Sequence, residues 1–408
     1  MNHTAVVTGI GAISPLGFSN HDIFNNLLLK KRAIKQQTLL EKKGFSNTTA
    51  AMIHTLDCSP YQLNALSNNR GLKLAYHAAR QALEHAALLD SKTNQAAPQD
   101  MAIFLGTCMG ESPIFERAAE HKENIGSTEA DYRPGLGSVY TSALAEILQL
   151  GGAQRTYTCA CASGNYSIGY AAELIQQGFC SQVLAGGVDS FSNIAHLGFM
   201  RSRAMSEHGC RPFDASRDGM TMSEGAAFLV IESKESAVNR GATIYAEIRG
   251  LGLSCDAYHP TAPDKTGSGM ARAMESALKK ASLSPEEITW VSAHGTGTPV
   301  SDAAECRAIE TVFSNKIPYV SSIKGAIGHS LGAASALEAA LCIEALKRQI
   351  IPPNVGLDSF DNTLGLAEKY FPKEALPTDG NMRYALNCAY GFGGMNSALV
   401  IAANGVGK

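Results

Sequence analysis

The sequence is poor in charge of either sign and has no long apolar run. Charged residues make up 17% of its 408 positions, and 34 basic against 37 acidic side chains leave a formal net charge of −3. A chain so close to electroneutrality gives no overall reason to expect nucleic acid as a partner. No segment approaches the roughly 18 uninterrupted apolar residues of a transmembrane helix, so no membrane insertion is expected.

Metal-ligand spacing is also missing. The ten cysteines are scattered, there is no Cys-x-x-Cys and no His-x-x-x-His, and Cys159 and Cys161 have no other ligand group near them in the sequence. We therefore expect no metal. The polar start Met1-Asn2-His3 is unlike a signal peptide, so we expect a cytoplasmic protein with reduced thiols.

What the sequence does contain is the composition of a compact enzyme, with 45% apolar residues and 39 glycines. Short β-type runs alternate with alanine-rich helical patterns, which predicts a layered α/β fold. The pattern restarts near residue 245, so we expect two halves, 1–244 and 245–408. The similar stretches Ala5–Gly17 and Ala246–Asp256 suggest a duplicated unit.

Two local features allow simple readings. Glycines 9, 11 and 17 lack the Gly-x-Gly-x-x-Gly spacing of a dinucleotide site, and we predict a tight turn there. The segment Lys30–Lys43 carries six basic residues against the single acid Glu41. Such a run is usually a solvated face, and the alternative is a patch that binds an acidic partner protein.

The stretch "TYTCACASGNY" places Cys161 where a predicted strand meets a predicted helix. A thiol at a helix N-terminus is exposed to the positive end of the macrodipole and to free N–H groups, which favour the nucleophilic thiolate. The alternative is a buried structural cysteine, and position alone does not separate the two.

Two glycine-flanked histidines favour the functional reading. His294, in "WVSAHGTGTPVSD", and His329, in "SSIKGAIGHSLGAAS", follow predicted strands among small residues, where a rigid scaffold often holds functional groups. The second stretch also contains a Gly-x-Ser-x-Gly string at Ser330. A hydrolase triad needs a histidine downstream of that serine, and His329 is the last histidine, so this reading fails.

The C-terminal stretch "NCAYGFGGMNSALVI" is a strand, a glycine-rich loop and a second strand. A loop of this kind lets backbone N–H groups approach an oxyanion, and the simpler alternative is a hairpin turn.

Together these residues resemble the β-ketoacyl-acyl carrier protein synthases of the synthase II type, condensing enzymes of the thiolase superfamily. The resemblance runs nearly end to end. It is carried by Val6–Gly17, "CASG" at 161–164, "AGGVDS" at 185–190, "RPFDASRDGMTMSEGAA" at 211–227, "DAYHPTAP" at 256–263, "AHGTGTPVSD" at 293–302, "KGAIGHSLGAASALE" at 324–338 and "GFGGMN" at 391–396.

The resemblance implies a thiolase-like α/β fold in which two similar halves form an α-β-α-β-α core. It also implies the site residues. Cys161 would be the nucleophile, His294 and His329 the catalytic histidines, and Lys324 their supporting lysine with Glu338 as its partner. Phe392 would be the gate, its N–H pairing with that of Cys161 as the oxyanion hole. Thr296 and Thr298 would bind the pantetheine arm, and Cys108 and Met109 would line the acyl pocket.

The implied reaction is the decarboxylative Claisen condensation of an acyl-enzyme thioester with malonyl-acyl carrier protein, in fatty-acid or specialised polyketide or polyene biosynthesis. No cofactor is implied beyond the carrier's phosphopantetheine. The expected partners are an acyl carrier protein and, in a homodimer or heterodimer, a related ketosynthase or chain-length factor. The alternatives are a chain-length-factor-like subunit and a coenzyme A thiolase.

Three positions depart from the family pattern. Tyr390 stands where phenylalanine is common, Met395 where threonine is usual, and Cys108-Met109 where acyl length is tuned. These departures favour a specialised pathway, such as a polyketide, dialkylresorcinol or aryl-polyene pathway, over housekeeping fatty-acid elongation. A thiolase would also need a second, basic cysteine in a Cys-x-Gly-x-Gly turn, which the segment from Cys388 does not supply.

Overall fold

The computed structural model describes residues 3–56, 69–89, 100–120 and 136–406. The strands are β1 Ala5–Ile13, β2 Lys35–Gln36, β3 Thr49–Ala50, β4 Ala102–Gly106, β5 Gln154–Tyr157, β6 Gln182–Asp189, β7 Gly225–Ser233, β8 Ala246–Cys255, β9 Trp290–Ser292, β10 Tyr319–Ser321, β11 Ile350–Ile351, β12 Leu376–Pro377, β13 Tyr384–Gly391 and β14 Met395–Ala403. The α-helices are α1 Asn20–Leu28, α2 Thr38–Lys42, α3 Arg70–His85, α4 Ser112–Glu120, α5 Gly137–Leu148, α6 Ser163–Gln176, α7 Asn193–Arg201, α8 Lys234–Asn239, α9 Ser268–Ala281, α10 Pro299–Val312, α11 Lys324–Ile327 and α12 Ala334–Arg348.

Ten strands form one mixed sheet in the order β10-β9-β13-β14-β8-β1-β7-β6-β4-β5. Outward from the centre, β1-β7-β6-β4-β5 and β8-β14-β13-β9-β10 repeat the same chain order. They also repeat the same directions, since the two inner pairs of each half are antiparallel and the two outer pairs are parallel. Within the described sheet, the two halves are joined where Val6 and Val7 of β1 pair with β8. The sheet therefore consists of two copies of one five-stranded unit.

Helices cover the sheet in layers. Side chains of α6 and α12 share one apolar core with strands of both halves. A second core joins α3 and α5 to the first half, and a third joins α9 and α10 to the second half. Residues 334–346 of α12 are all buried, as expected of a helix enclosed on every side. The expected α/β architecture is present, with α6 and α12 in the central layer.

The glycines of the first strand do not form the predicted tight turn. Gly9 and Gly11 lie inside β1, where an added Cβ would approach within 2.1 Å of the Ala82 carbonyl oxygen of α3 and within 2.0 Å of that of Ala78. Gly250 and Gly252 of β8 stand in the same relation to α9. The turn prediction is confirmed for Gly17, which closes a tight turn with Ser14 through two backbone hydrogen bonds of 2.9 and 3.1 Å. It was wrong for Gly9 and Gly11, because in both halves these glycines serve close packing of a helix on a strand.

The basic segment after α1 is partly anchored. Arg32 donates to the carbonyl oxygens of Gly325 and Cys210, at 3.0 and 2.8 Å, and Lys30 pairs with Glu374 at 2.6 Å. The segment is therefore only in part a solvated face. Within the described ranges, no helix is both long enough and apolar enough to cross a membrane.

Candidate active site

Cys161 lies at the N-terminal end of central helix α6. It occupies a 3-10 turn, Ala160–Ala162, between β5 and the helix, and Ala160 adopts a left-handed φ of 48° that turns the chain sharply. Ser163 closes this turn, since its hydroxyl donates to the Ala160 carbonyl oxygen at 2.6 Å and accepts from Cys159 N at 2.8 Å. The cysteine is 7% exposed, with its sulfur on a cavity wall.

The two central helices meet with their N-termini at this cysteine. An added Cβ on Gly164 of α6 would lie 2.5 Å from Ala336 N of α12, so glycine is required for the close approach. Ser335 of α12 accepts from Asn165 N at 3.0 Å and donates to the Cys161 carbonyl oxygen at 3.2 Å. The positive ends of two helix dipoles therefore converge on the cysteine.

His329 contacts the cysteine directly. Its Nε2 lies 3.1 Å from Cys161 Sγ. Its backbone is fixed on both sides, because its N–H donates to the Thr221 carbonyl oxygen at 2.7 Å and its carbonyl accepts from Ser223 N at 3.0 Å. Thr221 and Ser223 therefore position the backbone of this histidine.

His294 completes the set from the loop after β9. Its ring centroid lies 5.3 Å from that of His329, edge to face. Lys324 Nζ donates to the His294 carbonyl oxygen at 2.6 Å and forms a buried ion pair with Glu338. Glu305 accepts from the N–H groups of His294 and Gly295, both at 2.8 Å. The nucleophile thus comes from one half of the chain and both histidines from the other.

A cavity of about 270 Å³ opens onto these three side chains. Thr296 and Thr298 line it, with their hydroxyl oxygens 2.9 Å apart. Phe392 also lines it, is 38% exposed, and packs on Phe199 with ring centroids 5.4 Å apart. The structure therefore brings the predicted nucleophile, histidines, threonines and gate to one space.

The loop after β13 also lies against the cysteine backbone. An added Cβ on Gly391 would lie 2.9 Å from Ala160 Cβ and 3.2 Å from Cys161 N. This contact puts the Gly391–Phe392 peptide beside the N-terminal end of α6. The oxyanion hole formed by the N–H groups of Cys161 and Phe392 stays a prediction.

Burial controls the protonation of the site. It lowers the pKa values of His294 and His329 well below 6.5, and the charge of Lys324 lowers them further, so both imidazoles are neutral near pH 7. Burial also raises the pKa of the Cys161 thiol to about 12, although the charge of Lys324 opposes this shift. Desolvation therefore opposes the thiolate that the helix N-terminus favours.

The sequence argument about metal ligands also needs correction. Cys161 has no ligand group near it in sequence, but the fold brings Sγ and a ring nitrogen of His294 and of His329 within 4.8 Å of one another. Such a donor set has the composition of a zinc ligand group. The spacing of motifs along the chain therefore gives no information about this cluster.

Cys108 and Met109 lie outside the residues that line the cavity. They pack against a separate apolar cluster of Phe191, Met205, Met220 and Leu331, of which Met220 also lines the cavity. Burial raises the pKa of the Cys108 thiol.

Two buried carboxylates that hold backbone groups of the site were not identified from sequence, although Asp189 lies in the quoted motif "AGGVDS" and Glu305 three residues after "AHGTGTPVSD". They are Glu305, described above, and Asp189, which accepts hydrogen bonds from the backbone N–H groups of Cys108, Met109 and Gly332. Burial raises the pKa of Glu305 to about 8 and that of Asp189 to about 6. An acidic residue among small residues after a predicted strand is the signal that identifies Asp189.

Known proteins match nearly the full length of this chain. Residues 3–237 match the model of the beta-ketoacyl synthase N-terminal domain, and residues 245–358 match that of the C-terminal domain. A 3-oxoacyl-[acyl-carrier-protein] synthase 2 of Coxiella burnetii is 34% identical over 97% of this chain and 98% of its own length.

Two solved structures extend the comparison. The ishigamide ketosynthase/chain length factor has a TM-score of 0.91 at 33% identity, covering 99% of this chain and 100% of that chain. The AntDE:AntF complex, a type II polyketide synthase acyl carrier protein with its ketosynthase bound to the hexaketide, has a TM-score of 0.87 at 26% identity. It covers 99% of this chain and 100% of that chain.

A duplicated α/β unit with a cysteine at the N-terminus of a central helix, facing two histidines, defines a condensing enzyme with the thiolase-like fold. Within that class the chain belongs to the β-ketoacyl synthase family. The predicted fold class and family are confirmed. The predicted reaction class, an acyltransferase that performs Claisen condensation in fatty-acid or polyketide biosynthesis, is also confirmed.

Proposed function

We propose that Cys161 carries the growing acyl chain and that His294 and His329 activate the malonyl extender. The contact of 3.1 Å between Cys161 Sγ and His329 Nε2 carries this proposal, because it places a proton acceptor on the nucleophile. His294 shares the cavity, so both rings reach the same thioester.

Acyl transfer begins with a neutral thiol. Cys161 Sγ attacks the carbonyl carbon of an acyl thioester as its proton passes to His329 Nε2, and the carrier's sulfur leaves and takes that proton. The N–H groups of Cys161 and Phe392 stabilise the oxyanion. The products are an acyl-enzyme and a free carrier thiol, which divides one difficult reaction into two easier ones.

Condensation then uses the neutral histidines as hydrogen-bond donors, after His329 has exchanged protons with solvent to carry its hydrogen on Nε2. Malonyl carrier protein loses carbon dioxide, and the electron pair of the broken carbon–carbon bond moves into an enolate whose oxygen accepts N–H from His294 and His329. The enolate carbon attacks the acyl-enzyme carbonyl and expels Cys161 sulfur, which takes up one proton. Lys324 positions His294 through its carbonyl oxygen and is not a base in this scheme.

The substrates are proposed to arrive on the phosphopantetheine of an acyl carrier protein, without a metal or redox cofactor. The hydroxyl pair of Thr296 and Thr298 on the cavity wall supports binding of the arm. The AntDE:AntF complex, in which a carrier protein binds its ketosynthase, supports the partner. The nine described cysteines are all free thiols, which favours a reducing cytoplasm.

The chain is also proposed to pair with a second ketosynthase-like chain, as a homodimer or with a chain-length factor. Strand β5 ends the ten-stranded sheet, and Gln154 and Arg155 on it are exposed, so this edge is open to pairing. Cys161 and both histidines are in place, which favours a catalytic subunit over a chain-length factor. Cys108-Met109, Tyr390 and Met395 favour a specialised pathway over housekeeping elongation.

The test is intact-mass spectrometry after incubation with a panel of acyl carrier proteins. Wild type should gain one acyl group and Cys161→Ala none, while the control Cys180→Ala, which changes a half-buried cysteine on another turn, should behave as wild type. Acylation of Cys161→Ala would refute the nucleophile. Cys161→Gln should still release carbon dioxide from malonyl carrier, and adding His329→Ala should reduce that release about 10²-fold or more.

A further inference from the structure

The duplicated fold contains a counterpart of the active site in which the two halves exchange roles. Asp189 ends β6 and pairs with Gly225 of β7, and Gly391 ends β13 and pairs with Met395 of β14 at the same point of the other half. Asp189 therefore corresponds to Gly391, whose added Cβ would lie 3.2 Å from Cys161 N in the active site.

The nucleophile has a counterpart as well. The 3-10 turn Ala160–Ala162 begins at a φ of 48° and leads into α6, and the turn Leu331–Ala333 begins at a φ of 50° and leads into α12. Cys161 therefore corresponds to Gly332. The backbone N–H of Gly332 occupies the position that the Cys161 N–H occupies in the active site.

This counterpart site is filled by a side chain of the protein itself. The carboxylate of Asp189, which has no exposed surface, accepts from Gly332 N at 2.6 Å, Cys108 N at 2.9 Å and Met109 N at 3.0 Å. Thr107 Oγ1 donates the fourth hydrogen bond at 2.7 Å. An internal carboxylate thus binds the Gly332 N–H, which corresponds to the Cys161 N–H of the proposed oxyanion hole.

Through these bonds one side chain joins two functional segments. Cys108 and Met109 belong to the apolar cluster next to the cavity. The Leu331–Ala333 turn begins two residues after His329. The two segments are closely packed at Gly332, since an added Cβ there would lie 2.5 Å from Cys108 N and 2.7 Å from Asp189 Oδ2. Displacement of the Cys108–Met109 backbone must therefore move the turn beside His329 or break a hydrogen bond.

We infer that Asp189 is a positioning residue that couples the Cys108–Met109 segment, which packs on the apolar cluster beside the cavity, to the placement of His329. The inference rests on the proposed function of Cys161 and His329. It assigns to this carboxylate both the acyl-chain profile of the enzyme and the geometry for decarboxylation.

The test replaces Asp189 by asparagine, which keeps the shape but gives up one acceptor oxygen. The first readout is the rate of Cys161 acylation from carrier proteins loaded with short, medium and long saturated acyl groups. The second is carbon dioxide release from malonyl carrier in a Cys161→Gln background, which reports on the histidines without the thiol. We expect Asp189→Asn to flatten the chain-length profile and to slow decarboxylation about tenfold or more, as a misplaced catalytic group does.

The matched control is Asp214→Asn. Asp214 is also a buried carboxylate that holds backbone N–H groups, those of Ser216, Asp358 and Ser359, and it does not line the cavity. If Asp189→Asn moves either readout no more than Asp214→Asn does, the inference is wrong. The same holds if only one of the two readouts moves.

Gly332→Ala disturbs the same contact with Asp189 and Cys108 from the side of the Leu331–Ala333 turn. It is the second variant to measure if Asp189→Asn does not fold. It should flatten the chain-length profile and slow decarboxylation, as Asp189→Asn is expected to do. An unchanged profile with wild-type decarboxylation would overturn the inference. A wild-type enzyme that accepts no acyl group would instead refute the proposed function, so the two failures are distinct.

Discussion

Removing one partner of the Lys324–Glu338 ion pair tests how the site depends on buried charge. Both side chains are 1% exposed, and Lys324 also donates to the His294 carbonyl oxygen. Glu338→Leu leaves the ammonium group buried without its counter-charge, a change that typically costs about 3–5 kcal/mol. For 408 residues the unfolding entropy at about 2.1 cal/mol/K per residue converts this into a fall in Tm of about 3–6 °C.

The double variant Lys324→Met/Glu338→Leu separates stability from catalysis. Replacing both charges by apolar groups should recover most of the lost stability, because no uncompensated charge remains. Decarboxylation should stay low, since the His294 carbonyl has lost its donor. Calorimetry and carbon dioxide release, both in a Cys161→Gln background, measure the two effects. A Glu338→Leu variant with the Tm of the wild type, or a double variant that regains full decarboxylation, would refute the reasoning.

Two further predictions concern the same cavity. Burial holds the pKa values of His294 and His329 well below 6.5, so both rings stay neutral as the pH falls. The rate of decarboxylation by Cys161→Gln should therefore be constant from about pH 8 to about pH 6. A decline centred near pH 6.5 in a carbon dioxide assay would contradict this. Gly391→Ala should slow acylation about tenfold or more, since its Cβ would press on Ala160 and the Cys161 backbone; Gly198→Ala, whose Cβ meets open space, is the control, and equal acylation rates by intact mass would count against it.

The sequence allowed the chemistry to be located more easily than its surroundings. Cys161, His294 and His329 could be selected because each follows a β-type run among small residues, a local pattern visible in one stretch. The two copies of the sheet were suggested by the similarity of Ala5–Gly17 and Ala246–Asp256, which are the central strands β1 and β8.

What could not be predicted depends on contacts between distant segments. The roles of Gly9 and Gly11 depend on α3, about 70 residues later in the chain. The pKa of Cys161 depends on desolvation, which the helix position does not reveal. Glu305 and Asp189 act on backbone groups that only the topology brings to them. The metal-like spacing of Cys161, His294 and His329 joins residues from three separate motifs.

The head-to-head meeting of α6 and α12 means that neither repeat is an enzyme by itself. A fragment containing only the first repeat has Cys161 without His294 and His329, and the second has these two histidines without Cys161. Activity regained on mixing the two fragments would therefore directly measure how well they reassemble, because the catalytic centre exists only at the seam where Ser335 and Asn165 bond.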